Sequence, residues 1–330
     1  MGTFDDFKDV EVREERQVQK SDLEKVLGVE KEILETYKED KRFENFSGNH
    51  FEAYQLLYKT TQEKVADIKI TPKLLQEYID ARENTELNTE SIIRGMYSAA
   101  LLERITTKTP KTHTIIDGRG KTFNYLFYYV YNVKNLTLTN IKGNLILSYA
   151  GSYGGNIDYL TLDRIEGCNL LECAASYSGS ATHITLSDIT GNYAVRTIGW
   201  KGNAKNITLH NIKGDHALEG AGTKSGSVKN ITLLNLQGNY TLENAGSNKG
   251  SVKNITLNNI QGACTLHAAG WNYGCVENSL KENELNKKQR ELISKIEKIV
   301  ETIHFLSFEE QTKAHDEIAR LQEEIFAGEK

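Results

Sequence analysis

Lys205-Asn206-Ile207-Thr208-Leu209-His210-Asn211-Ile212-Lys213-Gly214 is followed 24 residues later by Lys229-Asn230-Ile231-Thr232-Leu233-Leu234-Asn235-Leu236-Gln237-Gly238, and after another 24 by Lys253-Asn254-Ile255-Thr256-Leu257-Asn258-Asn259-Ile260-Gln261-Gly262. The same apolar-Thr-Leu triplet stands upstream at Leu136-Thr137-Leu138, Leu160-Thr161-Leu162 and Ile184-Thr185-Leu186, so six copies are spaced 24, 24, 23, 24 and 24 residues apart. A fixed period of this length is the signature of a repeat architecture. Within each copy the glycine marks a backbone turn. Leu147, Leu171, Val195, Leu218, Leu242 and Leu266 fall eleven residues past the first triplet position, and Ala150, Ala174, Ile198, Ala221, Ala245 and Ala269 fourteen past it. These columns read as inward-facing.

Alternation in the triplet points two side chains into a core and the threonine outward, as in a strand. A 24-residue unit with two or three such short strands cannot bury its apolar face alone. Stacked on its neighbours at about 4.8 Å it forms a continuous core. A leucine-rich horseshoe is excluded because the half-repeat after the glycine is Tyr, Thr, Gly, Ala and Ser rather than a helical pattern, and a propeller blade is longer. Two asparagine ladders, Asn135, Asn206, Asn230 and Asn254, and Asn140, Asn211, Asn235 and Asn259, fit stacked corners with a structural role. The Asn-x-Thr sequons they create are by-products of the repeat.

With these rungs, and with His113-Thr114-Ile115-Ile116-Asp117-Gly118-Arg119-Gly120 as an opening coil, the chain resembles the right-handed parallel β-helices of the pectin-lyase-like superfamily over about half its length. The resemblance implies the fold and leaves activity open, because sites are grafted onto folds. Of the motifs of polygalacturonase-like members only Asn156-Ile157-Asp158 is matched. Asp163, Asp188 and Asp215 occupy different offsets, so the stacked aspartates of a calcium-dependent lyase are missing.

The expected organisation is therefore mainly β: a helical region over 1–109, a right-handed parallel β-helix of about seven coils over 110–279, and a helical hairpin over 280–330. Leu23, Val26, Leu27, Ile33, Leu34 and Tyr37 predict a helix within 21–42, capped by Ser21 and Glu24. Thr71-Pro72 opens a second helix, and 91–105 forms a third. At the other end Leu292, Ile296, Ile299 and Ile303 face Ala314, Ile318, Leu321 and Ile325, with Ser307 and Glu310 capping the second helix. Stripes this narrow suit helix-on-helix seams, either within the chain or between chains.

The net charge is −5, with 17 basic against 23 acidic residues in 1–109, 14 against 10 in 110–279, and 9 against 12 in 280–330. The acidic start Met1-Gly2-Thr3-Phe4-Asp5-Asp6 does not resemble a secretory signal, and no apolar run is long enough to cross a bilayer. A cytoplasmic location, no membrane and no cofactor are expected. Cys168, Cys173, Cys264 and Cys275 lack metal-site spacing, so neither metal nor disulfide is expected.

In a solenoid, equivalent positions of successive coils become neighbours, and candidate sites run down the stack. Glu172, Arg196, Glu219, Glu243 and His267 form one column, in which adjacent carboxylates could shift one another's pKa if held away from water. Tyr153, Tyr177, Trp200 and Trp271 form an aromatic set suited either to sugar stacking or to packing against end helices. Lys205, Lys229 and Lys253 form a basic column with Lys134. The favoured reading is a non-enzymatic scaffold, acting through a protein partner or through self-association of the terminal helices. A carbohydrate-binding or carbohydrate-active protein, a polysaccharide lyase or glycoside hydrolase, is the alternative. Polyanion binding along the lysines comes third, with nucleic acid the least favoured partner.

Overall fold

Ile207, Ile231 and Ile255 lie directly beside one another on three adjacent parallel strands, so the period in the sequence is the period of the coil. The computed structural model describes residues 22–43 and 50–327; the acidic start of the chain and Ser21 of the expected capping box lie outside them. The chain forms one eight-stranded parallel sheet in sequential order, β1 to β8. Its strands are β1 (Thr114–Asp117), β2 (Asn132–Lys142), β3 (Asn156–Glu166), β4 (Ser180–Thr190), β5 (Asn203–Lys213), β6 (Ser227–Gln237), β7 (Ser251–Gln261) and β8 (Cys275–Lys281). Among the described residues four α-helices precede the sheet: α1 over 22–37, α2 (His50–Lys64), α3 (Pro72–Asp80) and α4 (Thr89–Lys108). Two follow it, α5 (Lys287–Thr302) and α6 (Phe308–Ala327). The architecture is a parallel β-solenoid of about 24 residues per coil.

The coil differs from the expected two or three short strands. Each has a single long strand, 11 residues in β2 to β7, and a second half of a different kind. Near each strand's end one residue, Asn140, Arg164, Asp188, Asn211, Asn235 or Asn259, takes φ between 51° and 54°. Asparagine tolerates this left-handed conformation better than most residues. The resulting kink lets Leu138 and Ile141, three apart, both be buried.

After the glycine, left-handed residues alternate with ordinary ones: Leu145, Leu147, Tyr149, Gly151 and Tyr153 all have φ between 55° and 64°. Their amides point alternately up and down the stack. Leu145 and Tyr149 donate to the next coil (Cys168 O, 3.0 Å; Glu172 O, 2.7 Å), whereas Leu147 and Gly151 donate to the previous one (Leu126 O and Val130 O, both 2.8 Å). A left-handed non-glycine residue costs about 1–2 kcal/mol. That cost is offset only when neighbouring coils supply the acceptors. The stacked glycines are equally committed, since a Cβ on Gly167 would sit 1.7 Å from the Gly143 carbonyl.

The N-terminal helices close one end of the solenoid. A single buried core runs from Val26 through α2 to α4 and every coil to Leu257. Thr71 caps α3 by accepting from the Leu74 amide at 3.1 Å, and Asn88 caps α4, which starts two residues before the expected boundary. The helix α2 was not legible in the sequence because its buried face, which includes His50 and Thr61, is only weakly apolar. The Gly95 backbone on α4 presses against Tyr125, where a Cβ would lie 2.1 Å from the carbonyl oxygen. About two turns further along α4 the buried carboxylate of Glu103 accepts from the Tyr54 hydroxyl and the Tyr131 amide.

The C-terminal hairpin does not close the other end. Gln289 at the start of α5 reaches the Ile325 carbonyl near the end of α6 (2.9 Å), so the helices are antiparallel. The pair lies lengthwise over the outer face of the sheet. Gln311 meets Thr137, His315 lies between Thr161 and Thr185, and Gln322 donates to Thr208 and Thr232. The threonines point outward, as alternation requires, yet all six are buried. The geometry is commensurate. Eleven helical residues from Gln311 to Gln322 rise about 16.5 Å, close to three and a half coil steps of about 4.8 Å. Leu234, the apolar member of an otherwise polar outer column, is buried in the hairpin's own core with Ile296, Ile318 and Leu321.

Candidate functional site

Three columns and one end of the solenoid hold the candidate groups. Stacking brings Glu172, Arg196, Glu219 and Glu243 together. Arg196 bridges Glu172 (3.3 Å) and Glu219 (3.5 Å). Burial raises the pKa of Glu172; Arg196 opposes that shift and Glu219 adds to it. His267, the remaining member of this column, is exposed on the last coil, and no ion pair joins it to the others among the described residues.

The histidine that does join them is His216, from a neighbouring column. Its Nδ1 lies 3.2 Å from Glu219 and 3.6 Å from Glu243. Its ring is sandwiched between Tyr193 (4.7 Å, 15°) and Tyr240 (4.9 Å, 11°). The signal was present in the sequence: Tyr193, His216 and Tyr240 each stand two residues after the turn glycine. Only the left-handed backbone at these positions aims the ring toward the carboxylates of the adjoining column.

The aromatic set divides. Tyr153 stacks on Tyr177 at 4.6 Å and on Phe51 of α2 at 4.2 Å, so its place is at the junction with the helical cap. Trp200 meets Tyr177 edge-on, with Lys201 and Lys224 over its ring at 5.3 and 5.0 Å. Trp271 lies three coils further on, with Thr223 and Ser247 between, so the two tryptophans do not form one platform. The lysine column is largely partnered: Lys134 with Asp158, Lys229 with Glu323 of α6, and Lys253 with Glu277. Lys205 continues the column beside Lys229. Along the strand kinks, Asn211, Asn235 and Asn259 line a polar groove of about 380 Å³ with Asp188, Lys213 and Gln237.

The last coil is built unlike the others. In the preceding coil Tyr240, Asn244 and Asn248 donate to Ala263, His267 and Trp271. The corresponding amides of Cys264, Ala268 and Asn272 have no further coil to receive them. Ile260, Leu266, Ala269 and Val276 are only partly buried, Trp271 is 63% exposed and Tyr273 88% exposed. The strand β8, at seven residues, stops short as the chain leaves for the hairpin. This leaves a pocket of about 470 Å³ against Leu257 and Ile260. The connection at Lys281, Glu282 and Asn283 and Arg290 of α5 flank this pocket, and among the described residues no helix lies across the exposed face of Trp271 and Tyr273.

No protein-family model matches the chain, nor does any curated protein or solved structure. No helix among the described residues is long and apolar enough to cross a membrane.

Proposed function

We propose that this chain is a non-enzymatic scaffold that pairs with a second copy of itself through the open C-terminal end of its solenoid. The carrying observation is the asymmetry of the two ends. One is closed by α1 to α4; the other presents partly buried core residues, two exposed aromatics and unmatched half-coil amides. Such an edge is a template for another chain. A closed end cannot accept an open one, which favours a two-fold pair over a filament. Residues 262–281 carry one lysine and one glutamate, so two copies of this end meet without net repulsion despite a chain charge of −5.

The terminal helices offer less to a partner, because the Ile318, Leu321 and Ile325 stripe is buried within the chain. The carbohydrate reading has weaker support, since Trp200 and Trp271 stand apart. The polyanion reading is weakened by the carboxylates beside three of the lysines. Kinship with the pectin-lyase-like superfamily rests on period and parallel stacking, and the one-strand coil adds nothing to it. Light scattering at about 100 µM is expected to return twice the 37.2 kDa chain mass, falling to one chain mass in a Trp271→Glu/Tyr273→Glu double variant. A monomeric wild type would overturn the proposal.

A further inference from the structure

We infer that His216, Glu219 and Glu243 form a binding site for one divalent transition-metal cation of the zinc type. His216 Nδ1 and one oxygen from each carboxylate lie within 4.8 Å of one another. The 3.2 and 3.6 Å separations from Nδ1 correspond to angles of about 99° and about 118° at a cation with bonds of about 2.1 Å, on either side of the tetrahedral value. Nδ1 is buried and makes no hydrogen bond, although Glu219 lies 3.2 Å away. The imidazole nitrogen thus faces both carboxylates while remaining without a hydrogen bond.

The surroundings hold this arrangement. Tyr193 and Tyr240 fix the imidazole plane from both faces. Arg196, itself paired with Glu172, approaches the Glu219 oxygen at 3.5 Å and orients it, as outer partners of metal ligands do. With the Arg196–Glu172 pair neutral, two carboxylates and a neutral imidazole leave a charge of −2, which a dication cancels. Imidazole with carboxylates suits zinc, cobalt or nickel rather than calcium or magnesium. Three protein ligands leave at least one position for water or for a partner's side chain. The four cysteines, which lack metal-site spacing, play no part.

The test uses the full chain stripped with chelator, carrying Cys264→Ser and Cys275→Ser so that exposed thiols do not compete. Calorimetric titration with zinc chloride is expected to give one equivalent bound, and cobalt chloride to give visible d–d bands. His216→Ala and Glu243→Gln should each weaken binding at least tenfold and abolish the bands. His267→Ala, one coil away, should leave both unchanged. Glu243→Gln is nearly isosteric and keeps the test valid if His216→Ala folds poorly. Absence of zinc binding in the parent, or unchanged affinity in Glu243→Gln, would overturn the assignment.

Discussion

Glu103 shows how one residue can carry a cost at neutral pH for the sake of a junction. Its carboxyl is buried between α4 and the first coil, and burial raises its pKa from 4.5 to about 7, against the hydrogen bonds from Tyr54 and Tyr131. The folded chain thus holds this proton where the unfolded chain has released it. Stability from this group is full below about pH 4.5 and is lost as the pH rises toward 7. Glu103→Gln removes the titration while keeping an acceptor for both donors. The variant should melt higher than wild type at pH 8, by an amount on the order of 1–3 kcal/mol in stability, and the gap should close by pH 5. Thermal melts at the two pH values decide this; an equal gap at both would rule out the charge as its cause.

At the scale of the element, the hairpin is held to the sheet by polar groups that tolerate no added charge. His315 is buried, with Thr161 at 3.2 Å from one ring nitrogen and Thr185 at 3.3 Å from the other. Its pKa is lowered to about 3, first by burial and then by the neighbouring His183 and His113. Lys205 adds to the positive field at His183, while Asp316 at 3.5 Å opposes it. At the hairpin turn His304 is likewise lowered by burial, although Asp163 pulls it up. The docked state thus binds fewer protons than the released one. Its stability is complete above about pH 6.5 and declines as the pH falls toward 3. Hydrogen exchange of the α6 amides should accelerate between pH 7 and 4.5 after correction for intrinsic rate. In His315→Gln, which can still bond both threonines, the acceleration should be smaller. Equal acceleration in both proteins would remove His315 from the account.

Within the stack each coil touches only its two neighbours, with the hairpin added along the threonine face, so the solenoid's stability is close to a sum of coil and interface contributions. Deleting residues 203–226 removes one full period, joining Gly202 to Ser227 in the same place in the coil. That protein should keep a strand-dominated far-ultraviolet spectrum and a cooperative melt, at lower stability. Deleting 203–214 alone removes half a period and sets apolar columns against polar ones. It should not fold, and a cooperative melt there would contradict the stacking. The same nearest-neighbour logic makes the two ends exceptional, since only there does a coil lack a partner.

Much of this was legible in residues and spacing. The 24-residue period, the inward columns from Leu147 to Leu242 and from Ala150 to Ala245, the opening strand at Thr114, the Thr71 cap and the pairing of Glu310 with the Ser307 amide depend on neighbours in sequence or on exact repetition, and both are written in a linear chain. Glu172, Arg196, Glu219 and Glu243 could be placed in one column for the same reason. The alternating left-handed half-coil was not legible, because leucine, tyrosine and valine do not announce that conformation and adopt it only where adjacent coils supply acceptors. Nor was His216, whose ring reaches a neighbouring column through that backbone. The seat of the hairpin along the threonine face, and with it the uncovered last coil, came from the match between helical rise and coil spacing. Which outer face a helix pair covers is a contest between surfaces far apart in sequence, and only the folded chain resolves it.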